Sequence, residues 1–141
     1  MRLAELQAKP ACGGYAKNVA QFDVLLSSML ETLKRTLHSC PEPAGSELHT
    51  AATITYFLAA YPPDELITGL GGHGIAAVYA GTSPGPTVLV RCELDAIPIE
   101  RDDSAYSMEH RCGHDGHMVM VAGLAPLLHM ARPPSGRIVL L

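Results

Sequence analysis

The sequence predicts an α/β protein: part of a mixed sheet flanked by helices. Three observations carry this expectation. Residues 22–37 show an apolar stripe at helical spacing, and two short apolar runs, 74–79 and 87–92, flank a segment dense in turn formers. Helical periodicity then returns after residue 115 and gives way to an apolar run at 137–141.

Residues 1–21 have weak periodicity, with Pro10 and Gly13-Gly14, and read as a leader; the folded portion is expected over 22–141. From residue 22 the pattern sharpens. Phe22, Leu25, Leu26, Met29, Leu30, Leu33 and Leu37 recur at three and four, so one helix face is apolar. Lys34 and Arg35 lie near its carboxyl end, where the helix dipole favours cations, and Pro41 and Pro43 stop it. A second helix is expected over 46–60, with Ser46 as N-cap and Leu48, Ala51, Ala52, Thr55 and Leu58 as its buried stripe. Residues 65–68 read as a short strand. The runs 74–79 and 87–92, joined by Ala80-Gly81-Thr82-Ser83-Pro84-Gly85-Pro86, read most simply as an antiparallel hairpin. Val88-Leu89-Val90 has the composition of a central strand buried on both faces. Residues 96–111 look polar and irregular. A helix follows over 115–130, kinked or divided by Pro126, then a loop and a strand from Arg137.

Length and composition narrow the function. A chain of 141 residues, 48% hydrophobic and 17% charged, fits one ordered domain. Its net charge of -4 argues against nucleic acid as a partner, since phosphate binding needs a basic face. The longest apolar stretch, 118–128, is too short to span a bilayer and contains Pro126. Cys12, Cys40, Cys92 and Cys112 form no CxxC and no framework of close pairs. No apolar signal segment opens the chain, so a soluble, reducing, cytoplasmic setting is expected.

The charges cluster. Seven of the 14 acidic residues fall between Glu93 and Asp115, beside His110, His114 and His117. Asp102 and Asp103 read as a solvated loop. Glu93 and Asp95 follow the run 87–92, and the carboxyl ends of strands are where α/β sheets place their sites. Two apart on an extended chain, they would point the same way. Downstream, His110-Arg111-Cys112-Gly113-His114-Asp115-Gly116-His117 offers one thiol and three imidazoles, ligand types that zinc and similar metals take. Gly113 and Gly116 suit a loop that turns back on itself. On spacing alone a metal loop and an inert loop stay equally open. A structural zinc site lacks its second Cys pair, and H-E-x-x-H lacks its Glu because Arg111 follows His110. A Cys112 nucleophile with His114 as base is disfavoured, since such partners normally meet from distant segments. His38, His49, His73 and His129 read as solvated side chains.

Taken together, the two segments resemble the metal-dependent aminoacylase and carboxypeptidase amidohydrolases, of the hippurate hydrolase and auxin-conjugate hydrolase type. That family shows Arg-Ala-Asp-Met-Asp-Ala-Leu-Pro-Ile and then His-Ala-Cys-Gly-His-Asp-Gly-His. Here the first is Arg91-Cys92-Glu93-Leu94-Asp95-Ala96-Ile97-Pro98-Ile99 and the second begins at His110. Leu37-His38-Ser39-Cys40-Pro41-Glu42 is similar to its Leu-His-x-x-Pro-Glu, and Gly71-Gly72-His73-Gly74 to its Gly-Gly-Thr-Gly. The resemblance covers about residues 30–141. It implies a di-zinc exopeptidase-like catalytic domain, truncated: an amino-terminal portion without the lid domain or the carboxyl-terminal half. It also implies two divalent metals, zinc or manganese, and hydrolysis of the amide of a small-molecule N-acyl amino acid.

By position, Cys112 and His114 would be metal ligands, and Asp95 a supporting carboxylate that orients one of them. His117 and Asp115 would shape the loop and start the helix. The family's general base lies in a Pro-Ala-Glu-Glu segment after a strand that matches 137–141, and nothing follows Leu141 here. The expectation is therefore an inactive chain; the alternative is a non-catalytic remnant with residual metal binding. Arg111, where the family has a small residue, would set a cation beside a ligand and weaken metal affinity. An open sheet edge after Leu141 would favour self-association or a homo-oligomer.

Overall fold

The computed structural model describes residues 12–101 and 105–141, with side chains from residue 21 onward. The first 11 residues of the expected leader lie outside the described residues, as do Asp102 and Asp103.

The first helix, α1, spans Cys12–His38, longer than the periodicity over 22–37 predicts. Its buried stripe is also narrower. Leu33 and Leu37 are buried, whereas Leu25 and Met29 face solvent. The second helix, α2 (Leu48–Ala59), buries Thr50, Ile54 and Leu58. Ser46 is not its N-cap: Glu47 holds that position, without a side-chain cap bond. The orphan N–H groups are instead served by Glu42, whose carboxylate accepts from His49 N–H at 3.1 Å, Thr50 N–H at 2.7 Å and the Thr50 hydroxyl at 2.8 Å.

Strands β1 (Glu65–Leu70) and β2 (Gly74–Ala80) make the antiparallel hairpin, turning through Gly71-Gly72-His73. The expected hairpin of residues 74–79 with 87–92 does not form. Between β2 and β3 (Thr87–Val90) lies β6 (Arg137–Leu140), giving the order β1-β2-β6-β3. β6 is antiparallel to β2 and parallel to β3. The physical reason lies in the loop. Gly81 N–H donates to the Gly136 carbonyl, Gly136 N–H to Ser83 and Arg137 N–H to Pro86, so the turn formers bind the start of β6 rather than fold β3 back on β2. A parallel β3–β6 pair needs a crossover, and the intervening chain supplies it.

β3 is likewise not a central strand. It forms an edge of this sheet, with Val88 and Leu89 about half exposed. An uninterrupted apolar run does not report its own neighbours. The segment expected to be irregular holds a second, two-stranded sheet, β4 (Ile97–Glu100) with β5 (Tyr106–Glu109). Pro98 is tolerated there because a strand with only one partner does not need every N–H.

The helix expected over 115–130 is divided into α3 (His114–Ala122) and α4 (Leu124–Met130). Pro126 falls in the first turn of α4, where a missing N–H costs no intrahelical bond. Gly123 marks the break. A Cβ there would meet the Val119 carbonyl at 2.9 Å and both Leu30 methyls at 3.2 Å, so glycine permits α1 to come close. α1, α2 and α3 pack on one another, and α2 lies on β2. The core centres on β2, α3 and Leu37, with Ala77, Tyr79 and Ala125 fully buried. Tyr79 keeps its hydroxyl paired, donating to the Tyr61 carbonyl at 2.8 Å, and burial pushes its pKa up to about 12. Among the described residues no helix is long and apolar enough to cross a membrane.

Candidate metal centre

The chain leaves β3 at Val90 and runs as irregular backbone to Ala96, so strand alternation does not govern Glu93 and Asp95. They part company. Glu93 pairs with Arg91 at 2.9 Å, the arginine mostly exposed and the glutamate half-buried. Asp95 turns inward to His114. The His114 Nδ1 lies 3.0 Å from the Asp95 carbonyl oxygen and 3.1 Å from its Oδ1. The Cys112 thiol approaches the same carbonyl at 4.0 Å. Asp95, Cys112 and His114, singled out in the sequence, therefore meet in one place.

Two local devices bring them together. Gly113, at φ +83°, adopts the left-handed conformation that glycine accepts without strain and caps α3. The N–H groups of Gly116 and His117 both donate to its carbonyl, which fixes the loop on the helix start. From the other side, the Ala96 N–H donates to the Glu42 carbonyl at 2.7 Å, and Pro43 bridges to Ala96. Glu42 thus holds the helix α2 terminus with its side chain and the residue after Asp95 with its backbone.

His38 is exposed, as expected, but it also has a partner. Its Nδ1 lies 2.7 Å from Oδ2 of Asp115, a carboxylate only 4% exposed. Burial raises the Asp115 pKa, but the His38 contact, the Gly116 N–H and the nearby imidazoles outweigh it and leave the carboxyl below its ordinary range. Periodicity gave no sign of this bond, which joins residues 77 apart; the Leu-His-x-x-Pro-Glu likeness was the one signal in the sequence. His110 is buried at 5% exposure, with its ring 6.2 Å from that of His38 and neither ring nitrogen hydrogen-bonded among the described residues. Burial first, then the neighbouring His38 and His114, hold its pKa down; Asp115 and a weak pull from the Leu37 backbone, outside hydrogen-bond geometry, oppose them. His117 stands beside His114, ring centres 6.2 Å apart. The Arg111 charge is paired: its Nε donates to Glu109, which also accepts from Arg101 and Ser107.

The donor chemistry fits a metal. A ligating histidine normally donates its other ring N–H to a carboxylate or carbonyl, which fixes the tautomer. With Nδ1–H of His114 donating to Asp95, its Nε2 lone pair is left for a metal, and Cys112 adds a thiol from the same turn. Among the described residues no three His, Cys, Asp or Glu side chains converge as a ready ligand set. The loop therefore offers two donors, and a tetrahedral zinc shell takes four.

No family model matches the chain. A Bacillus subtilis protein named as an amidohydrolase, YhaA, is 37% identical over 79% of the chain, and an N-acetyldiaminopimelate deacetylase of Listeria innocua is 33% identical over 73%. The chain spans 29% of the length of each. The crystal structure of Bacillus subtilis YXEP, described as a dinuclear metal binding peptidase from the M20 family, superposes with a TM-score of 0.74 at 28% identity, covering 84% of this chain and 35% of that one. The chain belongs to the metal-dependent amidohydrolases of the aminoacylase and carboxypeptidase type, the group that includes these M20 peptidases.

Proposed function

We propose that this chain supplies part of a two-metal amidohydrolase centre acting on small N-acyl amino acids, with Cys112 and His114 as metal ligands and Asp95 as the carboxylate that orients His114. The observation that carries the reading is the seat of His114 Nδ1 on Asp95, which leaves Nε2 free. Zinc or manganese bound there would lower the pKa of a water and polarise the scissile carbonyl. The chain's own residues do the positioning. Asp95 holds the His114 ring and its tautomer, Gly113 sets the loop on the start of α3, and the Asp115–His38 bond ties that start to α1. The name of the Listeria relative, a deacetylase of an N-acetylated amino acid, supports the substrate class. The reducing cytoplasm suits a thiol ligand.

Two ligand donors from one loop do not close a metal shell, so we read this chain by itself as inactive. Purified and freed of contaminating hydrolases, it is expected to hydrolyse N-acetyl amino acids no faster than buffer. Clear metal-dependent turnover would overturn that part of the reading. A non-catalytic remnant that keeps the fold and weak metal binding is the second reading, favoured by the absence of a third converging ligand among the described residues.

The strand before Leu141 is not an open edge, because β6 is paired with both β2 and β3. β3 is an open edge among the described residues, and its exposed Val88 and Leu89, with no charge on the strand, support self-association there. Sedimentation velocity is expected to show concentration-dependent growth in size that Leu89→Lys reduces. A concentration-independent monomer would refute it.

A further inference from the structure

A cavity of about 270 Å³ lies between the sheet and helices α2 and α3, its wall formed by none of the proposed metal-site residues Asp95, Cys112 and His114. Its floor is formed by side chains buried in the core, among them Leu58, Ile75, Met118 and Leu140, each 6% exposed or less. Its rim carries Leu70 and Leu141, both partly exposed, and Arg91, whose guanidinium is occupied by Glu93. The cavity sits at the carboxyl ends of β3 and β6, which α/β sheets commonly use for ligands.

What could fill it follows from its walls. Among the described residues the only buried side-chain polar atoms without partners are the ring nitrogens of His110, and His110 is not a wall residue. The Cys92 thiol in the wall has its pKa pushed up to about 11, chiefly by burial, and stays neutral. The wall side chains are apolar apart from Cys92 and Arg91, whose guanidinium is paired with Glu93, and apolar cavities of about 150 Å³ take benzene or xenon. A cation would meet no carboxylate in the wall, and the one guanidinium there is already paired with Glu93, so a charged ligand would lose hydration for little return.

We propose that this cavity is a binding site for a small, uncharged, apolar molecule of roughly benzene to toluene size, distinct from the metal centre. The ligand would rest on Met118.

The test uses the full chain with its methionine methyl groups labelled with ¹³C. Titration with toluene is expected to give a saturable shift of the Met118 methyl, while benzoate binds at least tenfold more weakly. Ala122→Leu, which fills the cavity from α3, should weaken toluene at least tenfold. Val121→Phe fills it from a less buried wall position and serves should Ala122→Leu fail to fold. Zinc affinity should be unchanged in the filled variant, which separates this site from the metal reading. No saturable shift of Met118, equal affinity for toluene and benzoate, or undiminished toluene binding in a folded filled variant would overturn the proposal.

Discussion

Glu42→Ala is expected to destabilise the chain by about 3 kcal/mol, read as a drop in the urea midpoint. The magnitude follows from what is left behind. Thr50 is 2% exposed, and both its N–H and its hydroxyl donate to Glu42 Oε2. An unsatisfied buried donor costs about 1–3 kcal/mol, and loss of a helix cap adds about 1 kcal/mol. The backbone bond from Ala96 to the Glu42 carbonyl survives, so the loss is not larger. The pH dependence has a definite sign. Burial raises the Glu42 pKa, but the hydrogen bonds from Thr50 and His49 prevail, and the carboxyl sits below its ordinary value of 4.5. The folded chain therefore binds fewer protons here than the unfolded one. This contribution is complete above pH 4.5 and disappears as pH falls through the lower folded value. Glu42→Gln should flatten the acid limb of the stability profile. An unchanged acid limb would remove Glu42 from the account.

Asp95→Ala is expected to weaken zinc binding about tenfold, at the lower end of what removing an outer partner of a ligating histidine does. The lower end is appropriate because the Asp95 carbonyl still accepts from His114 Nδ1, at 3.0 Å. The carboxylate, at 3.1 Å, adds charge and holds the ring plane. Folding stability should change little, since the Asp95 side chain is 24% exposed and is not in the core. Calorimetric zinc titration of the two proteins decides it. Identical affinities would mean that Asp95 only lines the loop.

These features differ in how far the sequence disclosed them. The stripe of α1 was legible because Leu33 and Leu37 recur at helical spacing; a division of the last long helix was legible from Pro126, but it falls three residues earlier, at Gly123. The sheet order was not legible. Gly81 to Pro86 has turn chemistry, but the partner of that turn is Gly136, about fifty residues on. Local composition cannot state that β6 inserts between β2 and β3. The β4–β5 pair escaped because Ser107, Glu109 and Arg101 made the segment look solvated, whereas they bind one another across the pair.

The centre followed the same pattern. Cys112 and His114 announce themselves by residue type, and Asp95 by resemblance to a motif. The roles of Glu42 and His38 did not show, because each depends on a partner brought near by the fold. Glu42 looks like one acid between two prolines until α2 places Thr50 above it. His38 looks like the end of a helix until α3 delivers Asp115. Arg111 is a further case: its pairing with Glu109 could not be read from the sequence.

The central claim is that the loop from Cys112 to His117, seated on Asp95, is a metal-binding element. Zinc titration of the wild-type chain against Cys112→Ala/His114→Ala, with circular dichroism to verify both folds, tests it most directly. The account predicts saturable binding by the wild type and at least a hundredfold loss of affinity in the double variant, since both donors of the loop are gone. Equal stoichiometry and affinity in the two proteins would contradict it.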